Sequence, residues 1–146
     1  MQVYDRRLSD ILSEVISDTS EINVSLLCSH EGFPIAFAMN SDKKEDEDIT
    51  LLSAMSSAVH SISNQAVTQL NTGPLLTTTI EAAKGTLLMK DLGELVFVAH
   101  VPKTKKDEKQ GARVRSYHIG IALASLDASA KKIKRYLTEL EKESSE

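Results

Sequence analysis

The sequence has no tryptophan, a single cysteine and no long apolar run. With only Cys28, no intrachain disulfide can form, and a reducing compartment is the simpler setting. No apolar stretch approaches the roughly 18 residues of a membrane span. The opening residues lead into an amphipathic segment rather than the apolar centre of a signal peptide, so a cytoplasmic protein is expected. Positive charge is not in excess either. The formal net charge of -4 argues against wholesale attraction to nucleic acid, although a local basic patch is present.

Signatures of chemistry are missing as well. The sequence holds no phosphate-cradling glycine loop, no zinc-ligand cysteine pair, no His-Glu-x-x-His helix and no nucleophile elbow. The four histidines, His30, His60, His100 and His118, fall in an expected turn, helix, strand and loop, and their spacing supplies no local metal site. The acidic run from Asp42 to Asp48 lacks the central glycine and terminal glutamate of a calcium loop. Cys28 sits in a strand pattern where a small buried hydrophobe is the plain reading. No enzyme activity, cofactor or metal is therefore expected.

What is present is the patterning of one ordinary globular domain over residues 1–146, with 41% hydrophobic and 26% charged residues. Leu8, Ile11, Leu12, Val15 and Ile16 recur at helical spacing. Ile22, Val24, Leu26 and Cys28 alternate with less apolar neighbours, and Ile35, Phe37 and Met39 do the same after Gly32, which together predict a hairpin. A polar loop at 40–48 then leads to a long helix. Its stripe is Leu52, Met55, Val59, Ile62 and Ala66, widened by Leu51, Ala58 and Leu70, and Asn71-Thr72-Gly73-Pro74 ends it.

Three strands are expected at 75–81, 86–92 and 95–101. The last is apolar at nearly every position, as a strand covered on both faces and central in a sheet would be. Residues 102–115 read as an exposed basic loop. Ile119, Leu123, Leu126, Ala130, Ile133, Leu137 and Leu140 then predict a closing helix to about Glu141 and a frayed tail at 142–146.

The resulting order, α-β-β-α-β-β-β-α, predicts an α/β (α+β) fold: a five-stranded antiparallel sheet with two helices on one face and one on the other. A single helix covers its face incompletely, and the leftover apolar surface favours pairing with a second copy.

Several phrases carry a resemblance at the expected intervals. They are Glu31-Gly32-Phe33-Pro34-Ile35-Ala36, the Ala-rich helix of residues 54–70, Ile80-Glu81-Ala82-Ala83-Lys84-Gly85-Thr86-Leu87-Leu88 and Leu95-Val96-Phe97-Val98. In these the chain resembles the roadblock/dynein light chain family of the profilin-like, longin-related group, in a prokaryotic or archaeal form; the dense Lys/Glu surface and absent tryptophan fit a microbial source. The resemblance implies homodimers, or pairing with a related roadblock subunit, in which third strands meet edge to edge and middle helices pack together. It also implies a small Ras-like GTPase as partner, which the domain scaffolds or activates, with any membrane contact indirect.

On that basis Met55, Val59, Ile62, Thr78 and Ile80 are the expected dimer interface. Ser56, His60 and Asn64 are expected partner contacts, from helical geometry. For the basic stretch a solvated loop is the plain reading, and contact through Arg113 and Arg115 with a partner is the sharper one. The alternative function is a small-molecule sensor of the profilin-like type, for which only Lys90 and His100 offer polar groups to a pocket.

Overall fold

Asp5 accepts a hydrogen bond from the Leu8 amide at 3.0 Å and so caps the first helix, α1 (Arg6–Asp18), whose stripe Leu8, Ile11, Leu12 and Val15 is buried. The computed structural model describes residues 5–19, 21–40, 46–103 and 112–144, with residues 46, 47 and 112–118 by backbone alone. Strands β1 (Val24–Ser29) and β2 (Pro34–Met39) follow as a hairpin. Its turn needs Gly32, because φ there is +94° and an added Cβ would meet the Ala54 Cα at 3.1 Å. The middle helix packs that closely on the hairpin end.

That helix, α2 (Asp46–Gln69), ends where Asn71 takes φ 56° and the Thr72 amide and hydroxyl both donate to the Val67 carbonyl. A meander of β3 (Thr77–Ala82), β4 (Gly85–Asp91) and β5 (Leu95–Pro102) completes the sheet. The closing helix is α3 (Ala112–Ser144).

The sheet order is β2-β1-β5-β4-β3 with every neighbouring pair antiparallel. β5 lies at the centre, as its apolar sequence requires. Its Phe97, Ala99 and Val101 join α1 and α3 in one core with Leu12, Leu27 and Leu126. Val96 and Val98 point the other way, into a smaller cluster with Leu26, Cys28 and Met89, to which α2 contributes Ile49. Two helices on one face and one on the other is thus the observed layering. Tyr136 of α3 donates to the Asp5 carboxylate, and Thr19 donates to Ser125, so α3 is tied to both ends of α1.

Two expectations about the last third are corrected. The stretch expected as loop to Arg115 is helical from Ala112, so Arg113, Arg115 and His118 lie in α3; residues 104–111 lie outside the described residues. The tail expected to fray from residue 142 is helical through Ser144. The physical reason is the same at both ends. Beyond Gly111 there is no proline, and the segment is rich in Ala, Leu, Lys, Arg and Glu, which keep rotamer freedom in a helix. Charge alone does not make a loop.

Candidate functional site

Residues along α2 advance by about 100° per position, so the face that meets the sheet can be read directly. It consists of Ile49, Ser53, Ser56, Ser57 and His60, all buried. The apolar stripe is turned away. Met55 is 58% exposed and Ile62 67%, and Leu51 and Leu70 are exposed with them; Leu52 and Val59 lie half-buried at the boundary, against the smaller core cluster. The helix therefore packs on the sheet through Ile49, small hydroxyl side chains and the flanks of Leu52 and Val59, and presents Leu51, Met55, Ile62 and Leu70 to solvent. Two hydroxyls are satisfied within the protomer: Ser53 donates to the Ile49 carbonyl at 2.8 Å, and Ser57 donates to the His30 carbonyl.

The edge strand β3 adjoins this face. Thr78 pairs with Met89 and Ile80 with Leu87, and both partners belong to the α2-side cluster, so Thr78 and Ile80 point to the same side of the sheet as α2. Leu76, just before the strand, is exposed, as is Ile80. Among the described residues β3 pairs only with β4, so its outer row of amides and carbonyls has no strand beside it. The opposite edge, β2, packs closely against α1.

Ser56 and His60, expected as partner contacts, are 1% and 3% exposed and face the sheet, so they are not available on the protomer's surface. Asn64 is exposed and lines a shallow depression of about 390 Å³ with Thr68, Asn71, Gly73 and Pro74. The two polar groups considered for a sensor pocket do not converge. Lys90 pairs with Phe97 and reaches Asp127 of α3 on one face, whereas His100 lies opposite Leu87 on the other and bonds Asn23 at 2.8 Å.

A second feature was not visible in the sequence. His30 from the β1–β2 turn, His60 from α2 and Asp91 from the end of β4 come together, each offering a ligand atom within 4.8 Å of the others. The imidazoles are 5.5 Å apart between centroids, and His60 Nε2 lies 3.7 Å from Asp91 Oδ2. Gly93, at φ +88° in the β4–β5 turn, ties two of the three together: its amide donates to Asp91 Oδ1 at 2.7 Å, and its carbonyl lies 2.8 Å from His30 Nε2. His60 Nδ1 and Ser56 Oγ, one helical turn apart, are buried without a hydrogen-bond partner. Burial lowers the His60 pKa below its ordinary value; the Asp91 carboxylate opposes that shift and His30 adds to it. No local spacing could have revealed this cluster, because its members come from three separate elements. The one cysteine is inert by its surroundings: burial pushes the Cys28 thiol up to about 11.

A five-stranded antiparallel sheet in the order β2-β1-β5-β4-β3, with one helix on one face and the first and last helices on the other, is the architecture of a roadblock domain. The sequence matches the Roadblock/LC7 domain over residues 8–100, and the chain belongs to that family. Among solved structures it is similar to Myxococcus xanthus MglB (TM-score 0.74, 13% identity, 92% of this chain and 97% of that one). A Roadblock/LC7 domain from Streptomyces avermitilis superposes at TM-score 0.72 with 11% identity, covering 89% of this chain and 97% of that one. The gliding protein MglB of Thermus thermophilus gives 0.61 with 16% identity, covering 89% and 95%. At these identities the likeness is one of fold. No curated protein sequence matches the chain. Among the described residues no helix is long and apolar enough to cross a membrane.

Proposed function

We propose that this chain is a non-catalytic interaction module that pairs with a second copy of itself, or with a related roadblock subunit, and in that form binds and scaffolds or regulates a small Ras-like GTPase. The observation that carries the reading is the orientation of α2, which turns Leu51, Met55, Ile62 and Leu70 to solvent beside an open β3 edge. Exposed large hydrophobes gathered on one helix of a globular domain mark an interaction surface more often than they occur by chance. A two-fold operation would let the β3 edges continue one sheet into the other while the α2 faces bury each other. Of the residues expected at this interface, Met55, Ile62 and Ile80 are exposed and Thr78 shares the α2 side of the sheet, which supports the reading, while Val59 is half-buried against the smaller core cluster.

The GTPase partner rests on family membership, and several relatives of similar fold are MglB proteins. With Ser56 and His60 buried, the contact surface narrows to Asn64 and its exposed neighbours on α2, with Arg113 and Arg115 in the first turns of α3 as the cationic candidates. Mixing the protein with the Ras-like GTPases of its own genome, in their GDP and GTP forms, tests the proposal by co-elution and by GTP hydrolysis. Capture of one GTPase with a nucleotide preference supports it; failure of every GTPase to bind the paired form contradicts it. A change in hydrolysis would mark a regulator, and binding without one a scaffold. The Arg113→Ala and Arg115→Ala variants are expected to weaken binding but to leave the hydrolysis rate of the saturated complex unchanged, because no arginine finger is invoked.

A further inference from the structure

We infer that His30, His60 and Asp91 form a binding site for a divalent transition-metal ion, of which Zn²⁺ is the best match. Two imidazoles and one carboxylate are the ligand set of three-ligand zinc sites, in which a fourth position is left for water or an incoming group. Two nitrogen donors disfavour Mg²⁺ and Ca²⁺, and the absence of any sulfur ligand disfavours Cu(I).

The geometry is close to what such an ion requires. Zinc–ligand bonds of about 2.0–2.2 Å in a tetrahedron put ligand atoms roughly 3.3 Å apart. His60 Nε2 and Asp91 Oδ2 are already at 3.7 Å, and all three ligand atoms fall within 4.8 Å, so closing the site takes small side-chain rotations. Of the three, the exposed His30 has most room to move.

The surroundings hold the ligands as a metal site needs them held. Asp91 Oδ1 accepts the Gly93 amide, which orients the carboxylate and leaves Oδ2 toward His60. The Ser57 hydroxyl fixes the His30 backbone to α2 one turn from His60. His60 is buried and holds Nε2 toward Asp91 Oδ2, on the side where the ion would sit. An ion there would join the β1–β2 turn, α2 and the end of β4. It would fix the helix that carries the exposed apolar face, with its open coordination position toward solvent on the His30 side.

The test is a titration of chelator-treated full-length protein with Zn²⁺ in competition with a chromogenic chelator, followed by Co²⁺ titration to read the coordination spectrum. One ion per protomer is expected. His30→Ala and Asp91→Asn should each weaken binding about a hundredfold or more, on the scale at which even supporting residues cost 10–100-fold. His100→Gln should leave it unchanged. His30 and Asp91 are not core residues, so these variants stay folded by circular dichroism, and His60→Gln serves only as a third arm. No stoichiometric binding by the wild type, or binding that survives His30→Ala, overturns the proposal.

Discussion

Ser57 of α2 donates its hydroxyl to the backbone carbonyl of His30 in the β1–β2 turn, so a polar bond adds to the packing of Ile49, Leu52 and Val59 in holding the middle helix to the hairpin. This contact follows from the helix being turned with its serines inward. Ser57→Ala removes the donor of this part-buried hydrogen bond. A loss of about 1–2 kcal/mol is expected, read as a lower urea midpoint at unchanged slope.

The central strand gives the largest effects. Phe97 is fully buried between β1 and β4 and faces the core shared by α1 and α3. Phe97→Ala should cost about 3–5 kcal/mol, the range for emptying a well-packed aromatic site. Ile62→Ala, on the exposed stripe of α2, should change protomer stability by less than about 0.5 kcal/mol when pairing is prevented by dilution.

Two histidines with lowered pKa values make stability depend on pH in a known direction. Burial lowers the pKa values of His60 and His100 below the ordinary 6.5, so the unfolded chain takes up protons before the folded one does. Their contribution is fully present above pH 6.5 and is lost as pH falls through the folded-state values. Urea midpoints at pH 7.5 and 5.5 should therefore differ, with the lower midpoint at 5.5. The difference should shrink in the His60→Gln, His100→Gln double variant.

Cys28 should be silent in the native state. Its thiol is buried and raised to about 11, so a disulfide reagent at pH 8 reacts only as fast as the protein opens. Rapid labelling of one thiol in native buffer would contradict the placement of Cys28 in the core.

Much of the fold was legible because it is written in local periods. The stripe of α1, the alternation in β1 and β2 and the doubly apolar β5 each reflect how many faces of the element are buried. The orientation of α2 was legible only in part. Its apolar stripe marks a buried face, but sequence cannot say whether the sheet or another molecule buries it. Here Ser53, Ser56, Ser57 and His60 take the sheet side, because small side chains allow the close approach at Gly32 and Ala54. The histidine-aspartate cluster was illegible for a different reason: it exists only once three distant segments are folded together. The start of α3 was misjudged because lysines and arginines suit an exposed helix as well as a loop.

The most direct test of the pairing proposal is molar mass by light scattering on the wild type and on Ile62→Glu and Met55→Glu, with circular dichroism as the check on folding. Both side chains point to solvent in the protomer, so the substitutions should be tolerated by the fold, unlike a charge at the half-buried Val59. The account predicts twice the 16.0 kDa protomer mass for the wild type and a folded protein of 16.0 kDa for both variants. A wild type that stays at 16.0 kDa at high concentration, or variants that keep the doubled mass, would contradict it.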